Sequence, residues 1–430
     1  MIVKNYKELA TTKIRKNALE IIEAGLESIN TAKIIKKNVQ LKKGELFIQN
    51  KKINLTNIKR IFVVGIGKCA FEAGETLEKI LGDSLTGGIT LDIQRRKLHK
   101  IRSFVGTHPF MSDINIDVTR EIIALLGKMT KNDLVLFVIS GGGSALLCQP
   151  DNFTCQDEST VIKCLFDSGV AIKEMNTVRK HLSLARGGFL AKYAYPAKVI
   201  SLIFSDVPNN EIEFVASGPT VLDTTTIRDA EKILDKYRVW KKCGIKELTL
   251  IETPKEKKYF KNVDNILIVS NSTALTAMKK SAEKLGYKAI IKTNSFFGEA
   301  SKIGPNLIKE LTKAGNKSAL LYGGESTVTI IKKAGKGGRN QELVLSALPY
   351  IKKGQLIVSF DTDGRDNTDF AGAFGDLHTV EKARKLKLIP SEYLAREQNN
   401  SYRFFEKVGD YLLTGNTGSN VSDIIIAMKE

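Results

Sequence analysis

Residues 134–139 read LVLFVI, and the next eight read SGGGSALL. An apolar run without alternation buries both faces of a strand, which happens in sheets covered by helices on both sides. Three glycines in a row cost backbone entropy and add no packing, so their place at the end of such a strand needs a reason. The pattern recurs along the chain. RIFVVGIG (60–67) runs into glycine ahead of a helix expected over Ala70–Leu81. GGITLDI (87–93) and RSFVGTHPF (102–110) follow, then a helix expected across 112–128, and KVISLIFSDV (198–207) ends in an aspartate. Strand, loop and helix in short repeats predict an α/β fold, with an N-terminal Rossmann-like parallel sheet covered by helices on both faces. Ligands of such sheets lie beyond the carboxyl ends of the strands.

A chain of 430 residues suggests two domains. The charged, irregular stretch 236–265 is the expected junction, giving domains of 1–245 and 246–430. Beyond it NILIVSNSTALTAMKKSAEKLG (265–286), KSALLYGGESTVTI (317–330) and QLIVSFDTDGRD (355–366) restart the pattern as a smaller, mixed α/β domain. Residues 7–48 read as helices. No apolar run reaches the length of a membrane span, and the N-terminus lacks a secretion core. Five cysteines without CxxC spacing predict reduced thiols in a cytoplasmic protein. The formal charge of +19 is spread along the chain, so it reads as a solvated surface or as attraction for anionic metabolites. No nucleic-acid partner is expected, and a homodimer is left open. The four histidines have no zinc spacing.

VVGIGKCAFEAG (63–74) breaks the GxGxxG fingerprint, because position 70 is alanine. Lys68 stands where the first strand hands over to its helix, within reach of an anion held by backbone amides. SGGGSALL is not a Walker loop, since no GK[ST] follows, and not a GxSxG elbow. What remains is a row of amides from roughly Gly141 to Ala145, an anion nest, with Ser140, Gly141, Gly142, Gly143 and Ser144 as candidate substrate-binding residues. In NTVRKHLSLARGGFLAKYAYPAK (176–198) Arg179 and Arg186 are seven apart and would share a helical face, suited to gripping a carboxylate or phosphate. Asp206 in SDVPNN can hold Mg²⁺ or orient a hydroxyl. GGES (323–326), GKGGRNQE (335–342), DTDGRDNTDFAGA (361–373) and TGNTGSNVSD (414–423) gather glycine, Glu325, Arg339 and carboxylates late in the chain. Amides, cations and carboxylates without a poised nucleophile are what phosphoryl transfer uses.

GIGK (65–68), GTHPF (106–110), SGGGSALL, NTVRKHLSLARGGFLA (176–191), SDVP (205–208), ASGPT (216–220), GGESTVTI (323–330), GKGGRNQE, TDG (362–364), AGA (371–373) and TGNTGSNVSD stand in the order found in one family. The chain resembles the type II glycerate kinases, with a MOFRL domain at about 317–425. The resemblance implies ATP-dependent phosphorylation of the 2-hydroxyl of D-glycerate, with Mg²⁺, in the cleft between two α/β domains. It implies catalytic roles for Lys68, Arg339 and Asp206, and Asp206 and Asp363 at the metal. SGGGS with Arg179 and Arg186 would hold substrate. Asn271, Gly324, Glu325, Thr414, Gly415 and Asn420 would hold the nucleotide. The family's SDVPGD is SDVPNN here, and TGPTGTN is TGNTGSN, which leaves room for a related small hydroxy acid. The alternative enzyme class is an NAD(P)-dependent hydroxypyruvate reductase, for which Asp92 near a second strand end would be the ribose-binding acid.

Overall fold

The computed structural model describes residues 1–94, 97–207, 210–244, 248–330, 335–396 and 399–430. Its chain divides into two compact units. One comprises Thr31–Ser205 and Asn210–Ile268. It opens with helix Thr31–Asn38, followed by a three-stranded antiparallel meander, β1 (Val39–Lys42), β2 (Glu45–Ile48) and β3 (Lys51–Asn54). The expectation of helix through residue 48 fails here. VQLKKGELFI alternates with period two around a turn in which Lys43 and Gly44 have φ of 48° and 75°, the signature of a hairpin.

The main sheet of this unit contains β4 (Arg60–Ile66), β5 (Leu85–Asp92), β6 (Ile101–Val105), β7 (Asp133–Ile139), β8 (Lys198–Phe204) and β9 (Val263–Val269). Their spatial order is β6-β5-β4-β7-β8-β9, with β4 to β8 mutually parallel where they pair. The chain therefore starts in the middle, builds outward to β6, then returns to lay β7 on the other side of β4. That reversal of strand order falls between β4 and β7, and in parallel sheets ligands bind beyond the carboxyl ends of the strands at such a point. Ile66 pairs with both Leu91 and Ile139, so the three central strands end level. The helix Ala70–Leu81 falls where the sequence places it, and Asp113–Leu126 fills most of the second expected span.

The other unit comprises Met1–Asn30, Asp206–Asn209 and Val269–Glu430. Its sheet holds β10 (Lys288–Glu299), β11 (Ser318–Thr327), β12 (Gln355–Asp361), β13 (Gly372–Asp376), β14 (Tyr411–Leu412) and β15 (Asp423–Lys429) in the order β10-β11-β15-β12-β13-β14. Only β10 and β11 pair in parallel, so this sheet is mixed, as expected. Leu307, Leu343, Phe404 and Ile425 are among the side chains of its core.

The partition differs from the expected 1–245 and 246–430. NILIV is the outer strand β9 of the first sheet, not the opening of the second. The first thirty residues belong with the C-terminal ones. Their helix Lys13–Ser28 packs on helix Asn271–Lys284 at Gly25, where a Cβ would stand 2.6 Å from Met278 Cγ. Arg15 is fully buried and ties that helix to Asp376 at 2.6 Å and Asp410 at 2.8 Å.

The cysteines also depart from expectation. Cys148 is bonded to Cys155 and Cys164 to Cys243, while Cys69 is buried and in no disulfide. The second pair joins helix Cys155–Asp167 to the end of helix Val239–Cys243, a proximity made by the fold and not by any local spacing. Among the described residues no helix is long and apolar enough to cross a membrane.

Candidate active site

The loops after β4 and β7 are stitched together. The Lys68 N–H donates to Gly141 O at 3.0 Å, and the Ser140 hydroxyl accepts from Cys69 N at 3.2 Å. Ser140 is wholly buried, so this predicted substrate contact is a strut between two strand ends. Gly67 is required by it, because a Cβ there would lie 2.3 Å from Ser140 Oγ.

Beyond Ser140 the chain turns through Gly142, whose φ is 82°, into a single helical turn, Gly143–Leu146. Gly143 N bonds to Ser140 O, and Ala145 N and Leu146 N bond to Gly142 O. Among the described residues, the N–H groups of Gly141, Gly142 and Ser144 donate to nothing. Three amides without acceptors in one tight turn form a concavity for an anion. A Cβ on Gly142 would stand 3.3 Å from Lys68 Cγ and 3.4 Å from His108 Cδ2, so these two side chains flank the turn. His108 was not singled out by the sequence reading, although GTHPF marks a strand end. Its loop is held by buried Asn115, whose amide donates to Thr107 O at 3.1 Å and to Ala145 O at 3.0 Å.

Arg179 and Arg186 do not share a helix. The helix Ile172–Lys180 ends one residue after Arg179, and Arg186 lies in the turn that RGG closes, with Gly187 and Gly188 at φ of 54° and 90°. The Arg186 guanidinium is fully buried. It pairs with the buried Glu158 carboxylate and donates to Leu147 O at 2.7 Å and Arg179 O at 3.2 Å. Burial pushes the Glu158 carboxyl above its usual range, with Arg186 opposing that shift. Arg186 thus braces the back of the loop. The Arg179 side chain is only part-buried and makes no hydrogen bond or ion pair among the described residues. Desolvation, together with the neighbouring Arg186 charge, lowers its pKa to about 10. A cation so placed is stabilised by an incoming anion.

Ser144 Oγ lies 3.0 Å from Ser217 Oγ, and Ser217 donates to Asn176 Oδ1 at 2.9 Å. Ser217 belongs to ASGPT, where Ala216, Ser217 and Gly218 have φ of 50°, 58° and 61°. Two non-glycine residues in the left-handed region cost on the order of 1–3 kcal/mol each, a strain that concentrates at functional sites. Asp92, held in reserve for a ribose, accepts from Phe71 N at 3.0 Å and Ile93 N at 2.6 Å. It caps the helix that follows β4.

In the other unit Arg339 begins helix Arg339–Ala347. Its Nε donates to Asp423 at 2.6 Å, and its Nη2 reaches Glu325 at 2.9 Å and Asp361 at 3.3 Å. Asp423 opens β15, Asp361 closes β12, and Glu325 is near the end of β11, so the antiparallel pairing brings all three to one sheet edge. Burial pushes the Asp423 carboxyl up to about 7, against the pull of Arg339. The nearby Glu325 charge adds to the upward push of burial. Asp361 and Asp423 were missed by the sequence reading, as was Asp366, which accepts from Asn340 N at 3.1 Å and Gln341 N at 2.8 Å. Gly338 is open to this carboxylate, since a Cβ would lie 2.2 Å from Asp366 Oδ1.

The remaining late motifs form one lattice. Thr417 N donates to Asp363 O at 3.2 Å, and Arg365 N donates to Asp363 Oδ1 at 2.8 Å. Thr414 Oγ1 donates to Gly415 O at 2.7 Å, and a Cβ on Gly364 would collide with that carbonyl. Asn420 Nδ2 is 3.4 Å from Asp206 Oδ2. Asn271 donates to Asn294 O at 2.8 Å and lies against Gly323, while Gly324 O accepts from Ser422 Oγ at 2.7 Å. Pro208 and Asn209 of SDVPNN lie outside the described residues. Among the described residues no three His, Cys, Asp or Glu side chains form a group that could hold a metal ion.

Residues 17–252 match a family described as a domain of unknown function (DUF4147), and 318–423 match the MOFRL family. The chain is 36% identical to the glycerate 2-kinase of Pyrococcus horikoshii over 432 residues, covering 96% of this chain and 97% of that protein. It superimposes on the crystal structure of glycerate kinase from Thermotoga maritima with a TM-score of 0.81 at 32% identity, over 97% of this chain and 99% of that one. A protein of Agrobacterium vitis named putative hydroxypyruvate reductase is 34% identical, over 85% of this chain and 98% of its own length.

Proposed function

The chain belongs to the type II glycerate kinase family, and from that premise we propose that it transfers the γ-phosphate of ATP to the 2-hydroxyl of D-glycerate, giving 2-phospho-D-glycerate and ADP. Phosphotransfer in general terms follows from membership; the substrate and position are our reading. The observation that carries it is the turn Gly141–Ser144, with three amides lacking acceptors and Lys68 beside them. A small carboxylate takes those amides, and Arg179 adds a charge-assisted contact. Lys68 offsets charge on the transferring phosphoryl group, a contribution that belongs to the transition state as well as to binding. Arg339 makes no hydrogen bond through Nη1 among the described residues, which leaves that edge for a phosphate oxygen.

The TGNTGSN lattice, with Asn271, Gly324 and Glu325, is assigned to ATP. Magnesium is commonly held by one or two carboxylates plus substrate phosphates. Asp206 and Asp363 fit that need, and no all-protein cage is required. The ion, when bound, neutralises charge on the β- and γ-phosphates. The reductase reading has the name of the Agrobacterium relative in its favour. Against it, the Asp92 carboxylate is already taken by Phe71 and Ile93 amides.

The test is ADP release with ATP, Mg²⁺ and a panel of small hydroxy acids, run beside NADH absorbance with hydroxypyruvate. ADP formation that depends on D-glycerate supports the proposal. NADH oxidation without glycerate-dependent ADP overturns it.

A further inference from the structure

Ser144 ends a hydrogen-bond chain whose direction is set in the protein interior. Asn176 is buried on helix Ile172–Lys180, and its Nδ2 donates to Ile172 O at 3.1 Å. An oxygen cannot take that place against a carbonyl, so Oδ1 must face the other way. There it accepts from Ser217 Oγ at 2.9 Å. A hydroxyl has one hydrogen. With that hydrogen given to Asn176, Ser217 can only accept from Ser144, whose Oγ is 3.0 Å away. The Ser144 hydrogen is consumed in turn. Its oxygen therefore faces a ligand with lone pairs alone, while its own backbone N–H is without an acceptor.

We infer that Ser144 reads the substrate's α-hydroxyl as a hydrogen-bond donor, and that Ser217 and Asn176 are specificity-determining positioning residues that fix this polarity. The inference rests on the hydroxy-acid reading above and deepens it. One residue offers a donor and an acceptor side by side, and an α-hydroxy acid carries the complement on adjacent carbons. Its carboxylate accepts from the amides, and its hydroxyl donates to Oγ. The corresponding 2-oxo acid has the same carboxylate but presents a second acceptor to an oxygen that cannot donate. Leaving a buried polar pair unmade discriminates more strongly than adding or removing a methylene. The left-handed φ of 58° at Ser217 has a use in this scheme, since it aims the hydroxyl between Asn176 and Ser144.

Binding of D-glycerate and of hydroxypyruvate is measured by calorimetry on the full-length protein, its Ser217→Ala variant and its Ser144→Ala variant. The unaltered protein should prefer D-glycerate. Ser217→Ala frees the Ser144 hydrogen, so D-glycerate should weaken and hydroxypyruvate should strengthen, lowering the preference about tenfold or more. Ser144→Ala should weaken D-glycerate without strengthening hydroxypyruvate. It sits on a part-exposed turn and keeps the test readable where Ser217→Ala does not fold. A merely structural role for Ser217 would weaken both ligands together. A preference within about twofold of the parent in either folded variant overturns the inference while leaving the kinase reading intact. Failure of the unaltered protein to bind or phosphorylate D-glycerate sinks that reading, and this inference with it.

Discussion

Arg179 and Arg186 have the same side chain, seven residues apart, and opposite employment. Arg186 neutralises a buried carboxylate, so Arg186→Ala leaves Glu158 uncompensated and should cost about 3–5 kcal/mol of stability. Arg179→Ala removes no direct ion pair or side-chain hydrogen bond and only a weaker, longer-range charge from Glu158. It should raise KM for the acid at least several-fold, with a smaller change in melting temperature than Arg186→Ala. Melting curves and steady-state kinetics on both variants check the contrast. Residue type and spacing revealed the two arginines but not this division. The partner, Glu158, is 28 positions from Arg186, and nothing local announces it. Lys68 was legible because a strand running into GIGK fixes where its lysine must stand.

Asp92 carries a pH signature. Burial pushes its carboxyl up to about 6 from an ordinary value of 3.8, although backbone N–H groups pull it down. Over that interval the folded chain holds a proton that the unfolded chain has released. Stability should therefore fall as pH rises from about 4 to 6, by on the order of 3 kcal/mol from this group. Asp92→Asn should flatten that part of the profile, measured as urea midpoints at the two ends. An unchanged slope would contradict the assignment.

At the scale of the element, SGGGSALL is a turn whose glycines have separate reasons. Gly142 takes a left-handed conformation beneath Lys68 and His108, and Gly143 abuts Ala216, where a Cβ would lie 2.5 Å from its methyl. Gly142→Ala should retain the fold but strain the turn and press on Lys68. KM for the acid should rise about tenfold or more, read by kinetics against an unaltered melting curve. The strands of the first sheet were readable because both of their faces are apolar. The hairpin over Val39–Asn54 was missed because its charged residues hid a period of two. The early end of helix Ile172–Lys180 was missed because Leu182, Leu184 and Ala185 continue a plausible helical pattern until RGG stops it.

At the scale of the molecule, each sheet gathers its polar groups at strand ends, and each unit is braced by contacts that sequence order conceals. Arg15 meets Asp376 and Asp410 across separations of 361 and 395 residues. No periodicity in the first thirty residues indicates that partner, so the domain partition was not legible. Arg15→Met should leave the buried Asp376 carboxylate without its cation and Asp410 with Lys382 alone, at a cost of about 3–5 kcal/mol, seen as a lower urea midpoint. The family order of the motifs, by contrast, was readable end to end.

The proposed function turns on the fate of one phosphoryl group. Incubation of the protein with ATP, Mg²⁺ and D-glycerate, followed by phosphorus NMR, assigns that group directly. The resonance of 2-phospho-D-glycerate should grow in step with ADP. A 3-phospho product, or ADP matched only by inorganic phosphate, would contradict it.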